Sequence, residues 1–338
     1  FGRTQEFRTE TRQCILDECF SYGFVIMPAS KCTKDLYKAF LQASSVRYSG
    51  LALSEVSPTI DLSHDSISRW LKSKSISPSE VWGASKSLID QEDDGFLIAD
   101  DTILAKTHSK KIELVNRQYS GNAHRVILGI GLVNLLWHNA EKQESVPVDY
   151  RIYDKDTDGK TKNTHLCEML ALAKARGLKP KAVIMDAWYS SLKNLKAIRD
   201  HGWVWITTLR KNRRVNKGES LGKLDIPEEG LKIHLRGYGW VYVFKFVTKN
   251  GRIDYLTTNQ EDPTREQMVA AMKTRWSIEV YHRELKQTCG IERCQARTAR
   301  AQRNHIGMAI QVWLDKHKRR ITEKITLYQQ DWEVIKET

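Results

Sequence analysis

Phe96-Leu97-Ile98-Ala99-Asp100-Asp101-Thr102 and Lys181-Ala182-Val183-Ile184-Met185-Asp186 are the two stretches that decide how this chain folds. Each holds a short continuous apolar run, and each run stops at an aspartate. Apolar runs of this length without alternation read as strands covered on both faces, the habit of parallel strands between helices.

Outward from these, Val126 to Trp137 is a longer apolar stretch interrupted by Asn134, well short of the roughly 18 residues of a membrane span. Val146, Val148, Tyr150 and Ile152 then alternate with Pro147, Asp149 and Arg151, which predicts a half-exposed strand near a sheet edge. A helix is expected from about Thr164 to Arg176, ended by Gly177, and a second one carries Leu192, Leu195 and Ile198 and ends at Gly202. Trp203 to Leu209 completes a series of strand, strand, strand, helix, strand, helix, strand. That order is the α/β, ribonuclease H-like one, with a mixed five-stranded sheet and flanking helices, and it puts the first and fourth strands side by side at the centre.

Residues 213–258 interrupt this core with β-type sequence. Val241, Val243 and Val247 alternate with Trp240, Tyr242, Phe244 and Phe246, and Asn250-Gly251 predicts a tight hairpin returning through Ile253, Tyr255 and Leu256. A long helix follows Pro263-Thr264, with Thr264 and Gln267 as a capping box and Gly290 as its end. On it Arg275, Glu279 and Lys286 share one face, and Ala271, Ile278 and Leu285 form a packing line.

Before the core, residues 1–90 read as helical. Leu51 to Val56, a Ser57-Pro58 turn and Ser63 to Leu71 look like a helix-turn-helix over about 51–73. Ser63 is the expected N-cap, with Asp65 in the first turn. Ile67, Trp70 and Leu71 make an apolar stripe that leaves His64, Ser68, Arg69 and Lys72 outward, as on a DNA recognition helix. The expected domains are 1–90, 91–325 with the insertion inside it, and a tail over 326–338.

The 338 residues carry 54 Lys plus Arg against 41 Asp plus Glu, a net charge of +13 that favours a polyanionic partner. Hydrophobic residues are 41% of the chain, which excludes wholesale disorder. Between Lys273 and Arg320 twelve basic residues face only Glu279, Glu284, Glu292 and Asp315. Such density suits a surface laid along phosphates, or a solvated helical face. Cys14, Cys19, Cys32, Cys167, Cys289 and Cys294 match no zinc-site spacing. They read as reduced thiols, and with no signal segment or apolar span the expectation is a cytoplasmic protein without a membrane.

Asp100, Asp186 and Glu279 are thus three carboxylates on separate elements that the fold order brings together. Clustered carboxylates stay ionised only beside a cation. Oxygen ligands suit Mg²⁺, with Mn²⁺ as a substitute, and two ions about 3.5–4 Å apart serve phosphodiester chemistry.

Arg275, Glu279 and Lys286, with the run Arg275-Trp-Ser-Ile-Glu279, resemble the Tyr-Arg-Glu-Lys signature of DDE transposases of bacterial insertion sequences. Asp100-Asp101-Thr102 is similar to that family's first acid motif, and Asp186-Ala-Trp-Tyr189 to its second. The resemblance covers about residues 95–315. It departs where the signature's Tyr falls on Met272. It implies a cut-and-paste transposase in which Asp100, Asp186 and Glu279 ligate two Mg²⁺ ions. The family's acid-x-Thr pattern selects Asp100 over Asp101. Arg275, Lys286 and Arg283 would then meet DNA, and Trp276, or instead Trp188 or Trp240, a flipped base. The partners implied are double-stranded DNA, as terminal inverted repeats and as target, and a homodimer or larger assembly. The location implied is the prokaryotic cytoplasm, with the nucleoid. Two rival readings are a nuclease or resolvase of the same fold without strand transfer, and a transposase-derived DNA-binding protein without chemistry.

Overall fold

The computed structural model describes residues 31–43, 53–54, 62–90, 95–109, 111–121, 123–248 and 250–328. Within these, α1 (Lys34–Ala43), α2 (His64–Ser73) and α3 (Pro78–Ser85) precede the sheet. Ser63 caps α2 by accepting the Ser66 N–H, and Ile67, Trp70 and Leu71 are its buried stripe. Of the helix expected over Leu51 to Val56, Leu53 and Ser54 are helical. The rest of that helix, the Ser57-Pro58 turn, Cys14, Cys19 and residues 329–338 of the expected tail lie outside the described residues.

β1 (Gly95–Ala105) runs antiparallel to β3 (Arg125–Asn139) and parallel to β5 (Ala182–Met185). β3 also pairs with β2 (Asn116–Ser120) and β4 (Glu144–Tyr153), and β5 with the parallel β6 (Trp205–Leu209). The order β4-β3-β1-β5-β6 is that of a ribonuclease H-like core. The crossovers from β4 to β5 and from β5 to β6 are α4 (Lys162–Ala175) and α5 (Leu192–Asp200). Their Leu166, Met169, Leu170, Leu195 and Ile198 share a core with Leu97, Ala99, Val183 and Met185.

Two expectations change. β4 is an edge strand, pairing with β3 alone, but it is not half-exposed. α3 lies against it, Ser85 Oγ donating to the Pro147 carbonyl at 2.8 Å. Nor do its apolar residues share one face. The register shifts so that Leu135 faces Asp149 while Leu136 faces Pro147, leaving Val148 in a bulge. An extra residue reverses strand alternation. Val146 and Val148 therefore join the core under α4 and α5, and Tyr150 and Ile152 the core on the opposite face.

The sheet also does not stop at five strands. β7 (Arg214–Val215), β8 (Glu219–Ser220), β9 (Leu231–Leu235), β10 (Gly239–Val247) and β11 (Ile253–Thr258) extend it to eleven. β11 pairs antiparallel with β6 from Tyr255↔Leu209 to Thr258↔Ile206, so the insertion satisfies the β6 edge. The β10–β11 hairpin turns at Asn250-Gly251, where Gly251 takes φ +79°, a conformation that glycine adopts without strain.

The opposite face is covered by α6 (Arg265–Thr288) and α7 (Ala299–Glu323). Thr264 and Gln267 form the capping box of α6, and Ala271, Ile278 and Leu285 are buried. Tyr37, Leu41, Ile67 and Trp70 of α1 and α2 enter the same core as Ile98, Ile278, Ile306 and Trp313, which joins the N-terminal helices to this face of the sheet. Among the described residues no helix is long and apolar enough to cross a membrane.

Candidate active site

Asp100 and Asp101 are consecutive on β1 and so point to opposite faces. Asp100 lies on the α6 side. Its Oδ1 accepts the Asp101 N–H at 2.8 Å, and its Oδ2 lies 3.7 Å from Arg275 Nη1. Asp101 lies on the α4 side, accepting from Lys162 Nζ at 2.6 Å and from the Tyr189 hydroxyl at 2.8 Å.

Asp186 follows β5 directly. Its Oδ1 accepts the N–H groups of Trp188 and Tyr189, at 2.9 and 3.4 Å, which caps the short turn Ala187–Tyr189. Ala99 pairs with Met185, so the two strands deliver Asp100 and Asp186 next to each other. Burial, then the neighbouring Asp186 and Asp101, raise the Asp100 carboxyl from 3.8 to about 8, against the opposing effect of Arg275. Burial and then Asp101 likewise raise Asp186. Two half-buried carboxyls in repulsion ionise together only beside a counter-charge.

Arg275 supplies one. Its Nη2 donates to Glu279 Oε1 at 2.6 Å while its Nη1 faces Asp100, so one guanidinium spans the acids of β1 and α6. Lys286, further along α6, donates to the Ile103 carbonyl at 2.8 Å and pairs with Glu292 at 3.1 Å. Trp276 is 54% exposed rather than a core residue. With Lys273, Glu284, Trp313 and Arg320 it lines a cavity of about 440 Å³ beside α6. Trp188 and Trp240 are equally open, so exposure does not choose among the three. Arg283 is exposed on α6; His64, Arg69 and Lys72 are exposed on α2, with Ser68 half-buried.

Among the described residues, no three acid, histidine or cysteine side chains stand close enough to hold one ion together. Asp100 and Asp186 fit a divalent, oxygen-coordinated ion as a half-buried carboxylate pair. Glu279 is turned to Arg275 and would complete the set once that ion pair opens. The sequence reading did not single out Lys162 or give Tyr189 a role. Tyr189 stands within the Asp186-Ala-Trp-Tyr189 motif, but nothing local marks Lys162, whose partner is 61 residues away.

The transposase DDE domain family matches this sequence over residues 92–314, well over half of its length. The chain belongs to that family. A search of curated proteins returns no match. Among solved structures, the piggyBac transposase synaptic complex with hairpin DNA is similar over 90% of this transposase and 68% of that chain, at 13% identity and a TM-score of 0.51. Endonuclease V of Ciona intestinalis, bound to a DNA 24-mer containing inosine, is similar over 66% of this chain and 98% of its own, with 10% identity and a TM-score of 0.31. The Drosophila P element transposase strand transfer complex is similar over 60% and 43%, with 17% identity and a TM-score of 0.29. Of the three, piggyBac alone exceeds 0.5, and at that identity it shows a shared fold.

The basic segment of the transposase divides in two. Lys273, Arg283, Arg293, Arg297 and Arg300 are exposed, whereas Lys316 is buried and donates to the Thr288 carbonyl. Arg303 pairs with Asp154, and Lys318 donates to the Ala84 carbonyl. The expected phosphate-facing strip is therefore shorter than the charge count implies.

Proposed function

We propose that the transposase hydrolyses one DNA strand at each end of a mobile element and then uses the freed 3′-hydroxyl to attack another phosphodiester. Asp100, Asp186 and Glu279 are its catalytic acids in this reading. What carries it is the position of Arg275, which reaches Asp100 and Glu279 at once beside Asp186. In the first step water adds at phosphorus and the 3′ oxygen leaves as a hydroxyl. In the second that hydroxyl displaces a 3′ oxygen elsewhere, and the number of phosphodiester bonds is conserved. No covalent enzyme intermediate is needed.

The residues present favour this course. Asp100 and Asp186 are held by paired strands and need little rearrangement. Released from Glu279, the Arg275 fork matches the oxygens of a phosphate. The exposed Lys273, Arg283, Arg293, Arg297 and Arg300 would neutralise flanking phosphates. Mg²⁺, or Mn²⁺ in its place, would neutralise charge at the scissile phosphate when held by Asp100, Asp186 and Glu279. The exposed face of α2 would read the terminal repeat, and cutting two ends together calls for at least a dimer. The synaptic state of the piggyBac neighbour supports both the DNA partner and the pairing of ends.

The test uses the DNA that flanks the gene, which this reading expects to carry short inverted repeats. Glu279→Gln should bind that DNA with near wild-type affinity and abolish Mg²⁺-dependent nicking. Full cleavage by this variant overturns the assignment. A labelled donor end that yields only hydrolysis products, never joined ones, would make the protein a nuclease of the same fold.

A further inference from the structure

The backbone ladder between β1 and β5 ends at Ala99↔Met185, one residue short of both aspartates. The next tie across that gap is made by side chains. Tyr189, fully buried in the turn after β5, donates its hydroxyl to Asp101 Oδ1 at 2.8 Å. Its own N–H donates to Asp186 Oδ1, and its carbonyl accepts from Asn194 Nδ2 at 2.9 Å. One rigid residue is therefore bonded to Asp186 on one side and to the neighbour of Asp100 on the other.

Asp101 is committed to this role. Tyr189 takes one oxygen and Lys162 Nζ the other, with the Tyr153 ring 5.5 Å from that ammonium. Lys162 also balances the one charge that pushes on both Asp100 and Asp186.

We infer that Tyr189 is a positioning residue that fixes the spacing of Asp100 and Asp186 for a divalent ion, acting through an Asp101 that Lys162 keeps in place. This rests on the metal-dependent reading above and gives the second aspartate of the Asp100-Asp101 pair a role as a strut. The tyrosine touches no reacting atom. It works by keeping the end of β5 beside the middle of β1, just past their last backbone pair.

The test is Mn²⁺ binding to the full chain without DNA, followed by calorimetry, for the wild type, Tyr189→Phe, Asp101→Asn, the double variant and Asp186→Asn. Loss of a group that orients ligands typically weakens metal binding by about 10–100-fold, and Tyr189→Phe is expected near the lower end. Because both act through one hydrogen bond, the double variant should be no weaker than the worse single one. The metal-free thermal midpoint of Tyr189→Phe should stay near the wild type, separating positioning from unfolding. Lys162→Met, which removes the counter-charge and leaves the tyrosine, should also weaken Mn²⁺ binding. Wild-type Mn²⁺ affinity in Tyr189→Phe, with binding lost in Asp186→Asn, overturns this inference alone. So do effects that multiply in the double variant. Mn²⁺ binding unchanged in Asp186→Asn overturns the metal-dependent reading, and this inference with it.

Discussion

α6 and α7 are alike in composition and opposite in placement. They span 24 and 25 residues, each begins behind a threonine cap, and each carries several basic residues and histidine. α6 presents Arg275 and Glu279 to the acids of the sheet and leaves Lys273, Trp276 and Arg283 exposed. α7 turns Gln302, Asn304, His305, Gln311, Lys316 and His317 inward. Asn304 Nδ2 donates to the carbonyls of Leu71 and Lys74, and its Oδ1 accepts the Ile76 N–H. His305 bridges the Tyr37 hydroxyl and the Gly290 carbonyl. Gly307 leaves room for Ile76 and Tyr150, which a Cβ there would meet at 2.7 and 2.8 Å. A similar number of basic residues thus lies largely exposed on one helix, while the other serves as a docking post for the N-terminal helices.

Asn304→Ala has the largest expected effect on this docking. It strands two carbonyls and one N–H between α2 and α3, and unpaired buried groups cost about 1–3 kcal/mol each. A loss of roughly 3 kcal/mol is expected in urea unfolding. If stability is unchanged, α7 does not hold those helices.

Acid should act next on the buried histidines of both helices. Burial lowers His282, His305 and His317 to about 3, with nearby cations adding to the effect. A histidine held neutral in the folded state stabilises fully above its unfolded value near 6.5, and that contribution drains away as pH falls toward 3. At pH 5 each costs about 1–2 kcal/mol. His317 stacks on Trp313, and its ring nitrogens have no hydrogen-bond partner among the described residues. His317→Phe should thus flatten the fall of the thermal midpoint below pH 6.5 while changing little at pH 8. An unchanged pH profile would show that this ring is solvated.

The smallest effect is the most direct test of the two faces. Arg283→Ala should reduce the slope of log affinity for DNA against log salt by about 0.9, the contribution of one phosphate contact. Lys316→Met should leave that slope as it was, because the ammonium already donates to the Thr288 carbonyl inside the protein. Equal slope changes would mean that burial does not separate the two.

Read alone, the amino-acid order determined much here. Apolar runs ending at Asp100 and Asp186, the caps at Ser63 and Thr264 and the Asn250-Gly251 turn all report local chemistry, where a residue and its near neighbours suffice. What lay beyond reach depends on distant partners. The bulge at Val148 follows from pairing with β3, the burial of Lys316 from packing around α7, and the grip of Lys162 and Tyr189 on Asp101 from contacts 61 and 88 residues apart. Side-chain charge is written in the sequence, but whether that charge faces water, a carbonyl or another charge is set by desolvation, which exists only once the layers have closed.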